Sequence, residues 1–179
     1  GTPWTFVQKL IDVYPAGLLS PTKSGDTPLH LLVANAEHQL NEAGFLDRNT
    51  SKVVELLLST PNKQKCALYM PNNENLYPLH CAAAFDAPLQ LIRLLMESPH
   101  AAAASLLVTH SGWTAFHLAC MAVSGNKPID HVQALLTYKC CKLFDDNDRT
   151  PIMLALETNP ASSKLIRCLV KACPKTSSL

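Results

Sequence analysis

The amino-acid sequence predicts an all-α protein, a solenoid of stacked antiparallel helix pairs. The first observation is a recurring stretch, which reads "GDTPLHLL", "LYPLHCAA", "WTAFHLAC" and "RTPIMLAL" at residues 25–32, 76–83, 113–120 and 149–156. The second is its period, because the four copies are 50, 37 and 36 positions apart, as in short helical repeats. The third is that each copy precedes an apolar run whose residues recur every three or four positions, as one face of a helix requires.

Composition and charge limit the class of protein. The 179 residues are 47% hydrophobic, which suits one domain with a sizeable core. The 15 Lys and Arg residues nearly balance the 14 Asp and Glu residues, so no charge footprint for a nucleic acid or an anionic membrane is visible. No window approaches the run of about 18 apolar residues that a spanning helix needs. The sequence therefore argues against a nucleic-acid partner and against direct membrane insertion.

The recurring stretch predicts the start of a short first helix in each unit. Thr27, Thr114 and Thr150 suit the N-cap, where the hydroxyl accepts a hydrogen bond from an otherwise unpaired backbone N–H. A proline follows in three of the copies and suits the first helical position, because no donor is needed there. The residues predicted to point into the core are Leu29, Leu79, Phe116 and Ile152.

A second helix is predicted in each unit, at residues 52–58, 89–96, 129–136 and 164–170. Proline cannot continue a helix, and one closes the helical run in four places, at Pro15, Pro61, Pro99 and Pro174. The third unit has Lys139 there instead, so its helix must stop by other means. The segment "WTFVQKLIDVYP" (4–15) reads as a second helix without its first. We expect a single domain over 1–179, with a half repeat at 1–21 and repeats at about 22–71, 72–108, 109–144 and 145–179.

The first full unit is longer than the second by 13 residues, and the excess lies in "AEHQLNEAGFLDRNTS" (36–51). This places an insertion between the two helices of that unit. Insertions in repeat arrays lie on one face and are often functional. A tolerated polar surface loop is the other interpretation, and the sequence does not decide between them.

The repeated stretch resembles the G-x-T-P-L-H-L-A-A hallmark of ankyrin repeats over nearly the whole chain. The resemblance implies that each unit is a β-turn finger followed by two antiparallel helices, and that fingers and first helices form a concave face. It also implies that His30, His80 and His117 hydrogen-bond to the backbone of the adjoining finger. Three residues depart from the hallmark: Tyr77, Ala115 and Met153 replace threonine, proline and histidine. The last unit reads as a polar C-terminal cap.

The sequence shows no pattern for catalysis, a cofactor or a metal. It contains no phosphate loop, no H-E-x-x-H and no G-x-S-x-G, and its seven histidines are dispersed along the units. The seven cysteines lack the spacing of a zinc site or a disulfide framework, so we expect reduced thiols in a reducing intracellular compartment. "DDND" (145–148) lacks the glycine and glutamate of a calcium loop. It reads as a solvated finger tip or as an electronegative contact for a basic partner.

The resemblance implies a binding surface made of finger tips and the exposed side of the first helices. The finger positions are Lys23, Ser24, Asp26, Asn73, Glu74, Leu76, His110, Ser111, Trp113, Asp146, Asn147 and Arg149. The first-helix positions are Ala34, Ala84, Phe85, Met121 and Glu157. We expect Trp113 to be an exposed anchor that forms an apolar strip with Leu76 and Phe85. The alternative is that Trp113 covers the neighbouring finger.

Three hypotheses for function follow from these observations. In the leading one the chain is a non-enzymatic scaffold that binds another protein along the concave face, with no cofactor and no small-molecule substrate. Its apolar anchors are Leu76, Phe85, Trp113 and Met121, while charged finger residues set polarity. In the second the chain is a constitutive subunit of a larger assembly. In the third it is the ankyrin portion of a larger enzyme or channel.

Overall fold

The computed structural model describes residues 9–36, 40, 46–59, 66–85, 87–122, 129–158 and 162–172. Over this part of the chain the secondary structure is helical, apart from one antiparallel bridge between Leu40 and Leu46. The α-helices are α1 (9–13), α2 (Pro28–Ala34), α3 (Arg48–Leu58), α4 (Pro78–Ala84), α5 (Leu89–Glu97), α6 (Ala101–Ala104), α7 (Ala115–Ala122), α8 (Ile129–Leu135), α9 (Pro151–Thr158) and α10 (Ser163–Ala172). The predicted all-α fold class is confirmed.

The helices form two stacked layers. The inner helices α2, α4, α7 and α9 contact one another in chain order, and the outer helices α3, α5, α8 and α10 do the same. Leu29, Leu79 and Phe116 are fully buried between the layers, whereas Ile152 in α9 is half-buried. Each fully buried side chain of this size contributes about 1.5–3 kcal/mol. The predicted repeat boundaries stay a prediction. Each of the four predicted full repeats contains one inner and one outer helix.

The helix starts follow the predicted capping. The N–H of His117 donates to Thr114 Oγ1 at 3.3 Å, and the N–H of Met153 donates to Thr150 Oγ1 at 3.4 Å. Thr27 forms the corresponding cap of α2. Tyr77 has no short hydroxyl to offer, and there the N–H of His80 donates to the Tyr77 carbonyl at 2.8 Å. The replacement of threonine by Tyr77 therefore does not remove the helix start, because the Tyr77 carbonyl is the acceptor there instead of a side-chain hydroxyl.

The start of α3 shows that the predicted insertion ends earlier than expected. This helix begins at Arg48, since the Asp47 carboxylate accepts hydrogen bonds from the N–H groups of Asn49 and Thr50 at 2.9 and 3.4 Å. Residues 48–51 therefore belong to the outer helix. The bridge between Leu40 and Leu46 lies in what remains of the insertion. Residues 37–39 and 41–45 are outside the described part of the chain.

A short helical turn lies after each of α1, α3, α5 and α8 and leads into the next unit. These turns are Pro15–Leu18, Ala67–Tyr69, α6 and Cys140–Lys142. Pro15 and Pro99 lie after the ends of α1 and α5 as predicted, while Pro61 and Pro174 are outside the described residues. In the third unit the stop is made by Thr137 and Cys140. The N–H of Cys140 donates to Thr137 Oγ1 at 3.2 Å, and Cys140 Sγ donates to the Thr137 carbonyl at 3.0 Å.

The expectation of reduced thiols is wrong for one cysteine. Cys141 is disulfide-bonded. The described cysteines that form no disulfide are Cys66, Cys81, Cys120, Cys140 and Cys168. A disulfide requires two Cα atoms within about 7 Å in space. The spacing of the cysteines along the chain did not reveal this bond.

Candidate functional site

Four β-turn fingers with one common backbone geometry project from the inner helices. We number them finger 1 (22–26), finger 2 (72–76), finger 3 (109–113) and finger 4 (145–149). In each, the N–H of the first residue donates to the carbonyl of the fifth at 2.9–3.0 Å. The fourth residue has a positive φ, in the left-handed region, where Gly, Asn and Asp are best tolerated. These fourth residues are Gly25, Asn75, Gly112 and Asp148.

The first residue of each finger also holds the turn with its side chain, which the sequence reasoning missed. Thr22 and Thr109 accept through Oγ1 from the N–H of the fifth residue, at 3.2 and 3.3 Å. Asn72 and Asp145 accept through Oδ1 from the same N–H, at 3.0 and 2.9 Å. The signal was present, because the four aligned residues are all short side chains with an oxygen acceptor.

Three histidines link each unit to the next finger, as the resemblance implied. The Nε2 atoms of His30, His80 and His117 bond to the carbonyls of Leu76, Trp113 and Arg149 at 2.9, 3.0 and 3.3 Å. Each Nδ1 accepts from a backbone N–H of its own helix start, so Nε2 carries the proton.

Burial lowers the pKa of all three imidazoles, that of His80 to about 4. They act as neutral donors at pH 7. In each ring Nε2 forms the link to the next finger, and Nδ1 is bonded at the start of its own helix.

Fingers 1 and 2 are joined by three hydrogen bonds, one of which runs from Asn73 Nδ2 to the Lys23 carbonyl at 3.0 Å. The N–H of Asn73 donates to the Ser24 carbonyl at 3.0 Å, and Asn72 Nδ2 donates to Asp26 Oδ1 at 2.9 Å. Ser24 Oγ donates to the other oxygen of Asp26 at 2.6 Å. The fingers approach so closely that a Cβ on Gly25 would lie 2.7 Å from the Asn73 nitrogen. This edge of the molecule is therefore held by backbone and short polar side chains.

A groove of about 420 Å³ opens beside these two fingers and the helices behind them. We call it the finger groove. It is lined by Ser24, Asp26, His30, Leu31, Ala34, Asn72, Asn73, Glu74, Leu76, Cys81 and Phe85. Phe85 is 53% exposed and Leu31 is 44% exposed. The groove brings together seven of the predicted positions and adds Leu31, which follows the hallmark histidine and was not selected from the sequence.

Fingers 3 and 4 are joined by a buried carboxylate instead. Trp113 Nε1 donates to Asp145 Oδ2 at 3.0 Å, and Arg149 donates to the same oxygen through Nε and Nη2 at 3.0 and 2.8 Å. Arg149 Nη1 also pairs with Glu157 at 3.1 Å. We call these four residues the Asp145 network. Burial of Asp145 would by itself raise its pKa, but hydrogen bonds from Arg149, Trp113 and Asn147 lower it well below the usual range.

The network changes three expectations. Trp113 is half-buried rather than exposed, and its indole N–H is bound to the neighbouring finger. It does not line the finger groove with Leu76 and Phe85. The acidic tip is only partly solvated, because the Asp145 side chain is fully buried while Asp146 and Asn147 are exposed.

The remaining predicted positions lie outside the finger groove. Lys23, His110 and Ser111 are exposed on fingers 1 and 3, and Met121 is half-buried near the end of α7. Among the described residues, no three or more His, Cys, Asp or Glu side chains are placed to hold a metal ion. Within the same residues, no helix is long and apolar enough to span a bilayer.

Stacked helix pairs with projecting fingers define a solenoid repeat protein. A family model described as ankyrin repeats (3 copies) matches residues 40–138 and 79–177. The chain therefore belongs to the ankyrin repeat family, whose repeats generally mediate protein–protein interaction. No curated protein matches the chain.

Proposed function

We propose that this domain is a non-enzymatic scaffold that binds a partner protein through its concave face, at the finger groove. The observation that supports this most directly is the groove itself. It places an exposed aromatic side chain, further apolar side chains and two carboxylates around one concavity of about 420 Å³. Concave sites with a mainly apolar lining and a few fixed polar groups are the usual form of a binding site.

The walls of the finger groove suit recognition for a second reason. Fingers 1 and 2 are fixed to each other by the bonds of Asn72 and Asn73 and to the inner helix by His30. A fixed wall loses little conformational entropy when a partner binds. Phe85 and Leu31, by contrast, expose apolar surface that a partner would remove from water.

Other predicted positions extend the proposed surface beyond the groove. Lys23, Met121 and Asp146 would contact a partner that spans more than two fingers. Trp113 and Arg149 would contribute from fixed positions, because the Asp145 network holds them. His110, Ser111, Asn147 and Glu157 complete the proposed surface.

Phe85→Ala tests this proposal. The immobilised domain first captures partners from an extract of its native source, and the captured protein is then purified and titrated against each variant. Phe85→Ala should raise the dissociation constant by an amount corresponding to about 2 kcal/mol, the usual loss at an aromatic hot spot. Circular dichroism should show that the variant is folded, because Phe85 is largely exposed.

Phe144→Ala is the matched control. Phe144 is 59% exposed, close to the 53% of Phe85, but does not line the finger groove. Its replacement should leave the dissociation constant unchanged. Equal loss in the two variants, or no loss in either, would contradict binding at the finger groove.

A second candidate, a constitutive subunit of a larger assembly, is favoured by the last unit. Met153 is 48% exposed and Leu156 is 44% exposed, whereas residues at the same places in the preceding units are buried against the next inner helix. These buried counterparts are His30, Val33, His80, Ala83, His117 and Cys120.

Light scattering on the purified chain tests this candidate. Association with itself or a co-expressed subunit that is lost in Met153→Glu, but kept in Phe85→Ala, would support it. A stable monomer with unchanged solubility in both variants would count against it.

A further inference from the structure

The charged groups around the finger groove are all acidic. Asp26 and Glu74 line it, and the described residues that form its lining include no lysine or arginine. His30 is the lining group that could become cationic, but burial lowers its pKa and both ring nitrogens are already engaged. The side chain of Lys23 is exposed at the tip of finger 1 and is not part of the lining.

The four fingers together also carry a negative net charge. Over the four fingers there are five carboxylates and two cations, although the whole chain carries a formal net charge of +1. These carboxylates are Asp26, Glu74, Asp145, Asp146 and Asp148. The two cations are Lys23 and Arg149, and Arg149 is paired with Asp145 and Glu157. A cationic segment that approaches this edge meets an attractive field before it reaches the groove.

Asp26 is held as an anion in a fixed position. Ser24 donates to one of its oxygens at 2.6 Å and Asn72 to the other at 2.9 Å, and these bonds lower its pKa. Each carboxylate oxygen has a second lone pair that a partner's N–H group can use. An arginine or lysine placed there forms a charge-assisted hydrogen bond, which is stronger than a neutral one.

The apolar side chains of the groove determine what else a bound cationic segment can place there. Leu31 in α2 and Phe85, directly after the end of α4, are both about half exposed. The methylene groups of a lysine or arginine can lie on these side chains while the charged end reaches Asp26 or Glu74. The exposed ring of Phe85 also attracts a cation over its face. The volume of about 420 Å³ exceeds the room one side chain needs, so adjacent apolar residues of the same segment fit beside it.

We propose that the partner of the finger groove is a peptide segment in which arginine or lysine alternates with apolar residues. The cationic groups would contact Asp26 and Glu74, and the apolar residues would contact Phe85 and Leu31. This inference rests on the proposed function, because it names the chemistry of the partner that the same groove would bind.

Selection from a random peptide library tests the inference without a known partner. Random 12-residue peptides displayed on phage are depleted on the Phe85→Ala variant and then selected on the wild-type chain. The retained peptides should be enriched in arginine or lysine next to apolar residues. A synthetic copy should bind at least tenfold more weakly to the Asp26→Asn, Glu74→Gln double variant, and its binding should weaken as salt rises.

A double variant on the outer helices distinguishes binding at the groove from non-specific attraction to negative charge. Glu55→Gln with Glu97→Gln removes the same number of charges from exposed positions on α3 and α5. This variant should bind the peptide as the wild type does. Equal loss in both double variants would show non-specific attraction and overturn the inference.

The remaining outcomes distinguish the inference from the proposed function. Peptides that require Phe85 but are acidic or uncharged, and ignore the Asp26 and Glu74 substitutions, would overturn the inference while the binding groove stands. A selection that yields no peptide dependent on Phe85 would count against the groove as a binding site, and therefore against both.

Discussion

Fingers 1 and 2 and fingers 3 and 4 share one backbone arrangement but are joined by different side chains. In the first pair Asn72 bonds to Asp26 near the surface, and a groove stays open beside them. In the second pair the buried carboxylate of Asp145 collects hydrogen bonds from Trp113 and Arg149. The two pairs therefore share the histidine links and the finger turns, and they differ in the burial of the joining carboxylate: Asp145 is buried, whereas Asp26 is half-buried.

The largest expected effect is on the contact between the two finger pairs, where His80 donates to the Trp113 carbonyl. Burial lowers the pKa of His80 from 6.5 to about 4. Between these two values the unfolded chain binds a proton that the folded chain does not, so the free energy of unfolding falls as the pH falls. The loss from this one group should be roughly 3 kcal/mol between pH 7 and pH 4.

Urea unfolding of the wild type and of His80→Gln at both pH values measures this loss as a difference between the two proteins. The variant should be less stable at pH 7 but less sensitive to acid. An NMR titration of the His80 ring should show it neutral in the folded state until about pH 4. Identical pH dependence in the two proteins would contradict the prediction.

The next largest effect on the free energy of unfolding compares the two finger pairs directly. Asp145→Ala should lower the free energy of unfolding by about 2–3 kcal/mol, because it removes the shared acceptor of the indole, the guanidinium and the turn. Asp26→Ala should cost under about 1 kcal/mol, because its partners Ser24 and Asn72 can bond to water. Urea unfolding at pH 7 measures both. Similar losses in the two variants would show that the pairs are held equally.

The smallest effect tests what the pairs have in common. Gly25→Ala and Gly112→Ala should each cost about 1–2 kcal/mol, because both have positive φ and an added Cβ would approach Asn73 or Asp146. Asp148→Gly is the matched control at the same place in finger 4, where glycine relieves the left-handed backbone. A thermal melt should show equal losses for the two alanine variants and no comparable loss for the control.

The sequence was sufficient for the features that repeat. The threonine caps and the order of helices follow from residues close together in the chain, so the recurring stretch predicted them. The histidine links join residues 32 to 46 positions apart, and only the resemblance to ankyrin repeats implied them. The Asp145 network could not be predicted in this way, because Trp113 and Asp145 are 32 positions apart and meet only when two units stack. The exposure of Leu31 depends on the same stacking.

The different structural roles of the residues within a finger have a consequence for how such a surface evolves. The first residue holds the turn, and the fourth adopts the positive φ. The second and third residues are exposed in all four fingers: Lys23, Ser24, Asn73, Glu74, His110, Ser111, Asp146 and Asn147. Mutations at these eight positions can accumulate with little effect on folding. The array therefore separates the positions under selection for structure from those free to diversify, and one scaffold can acquire new specificities by small, independent steps.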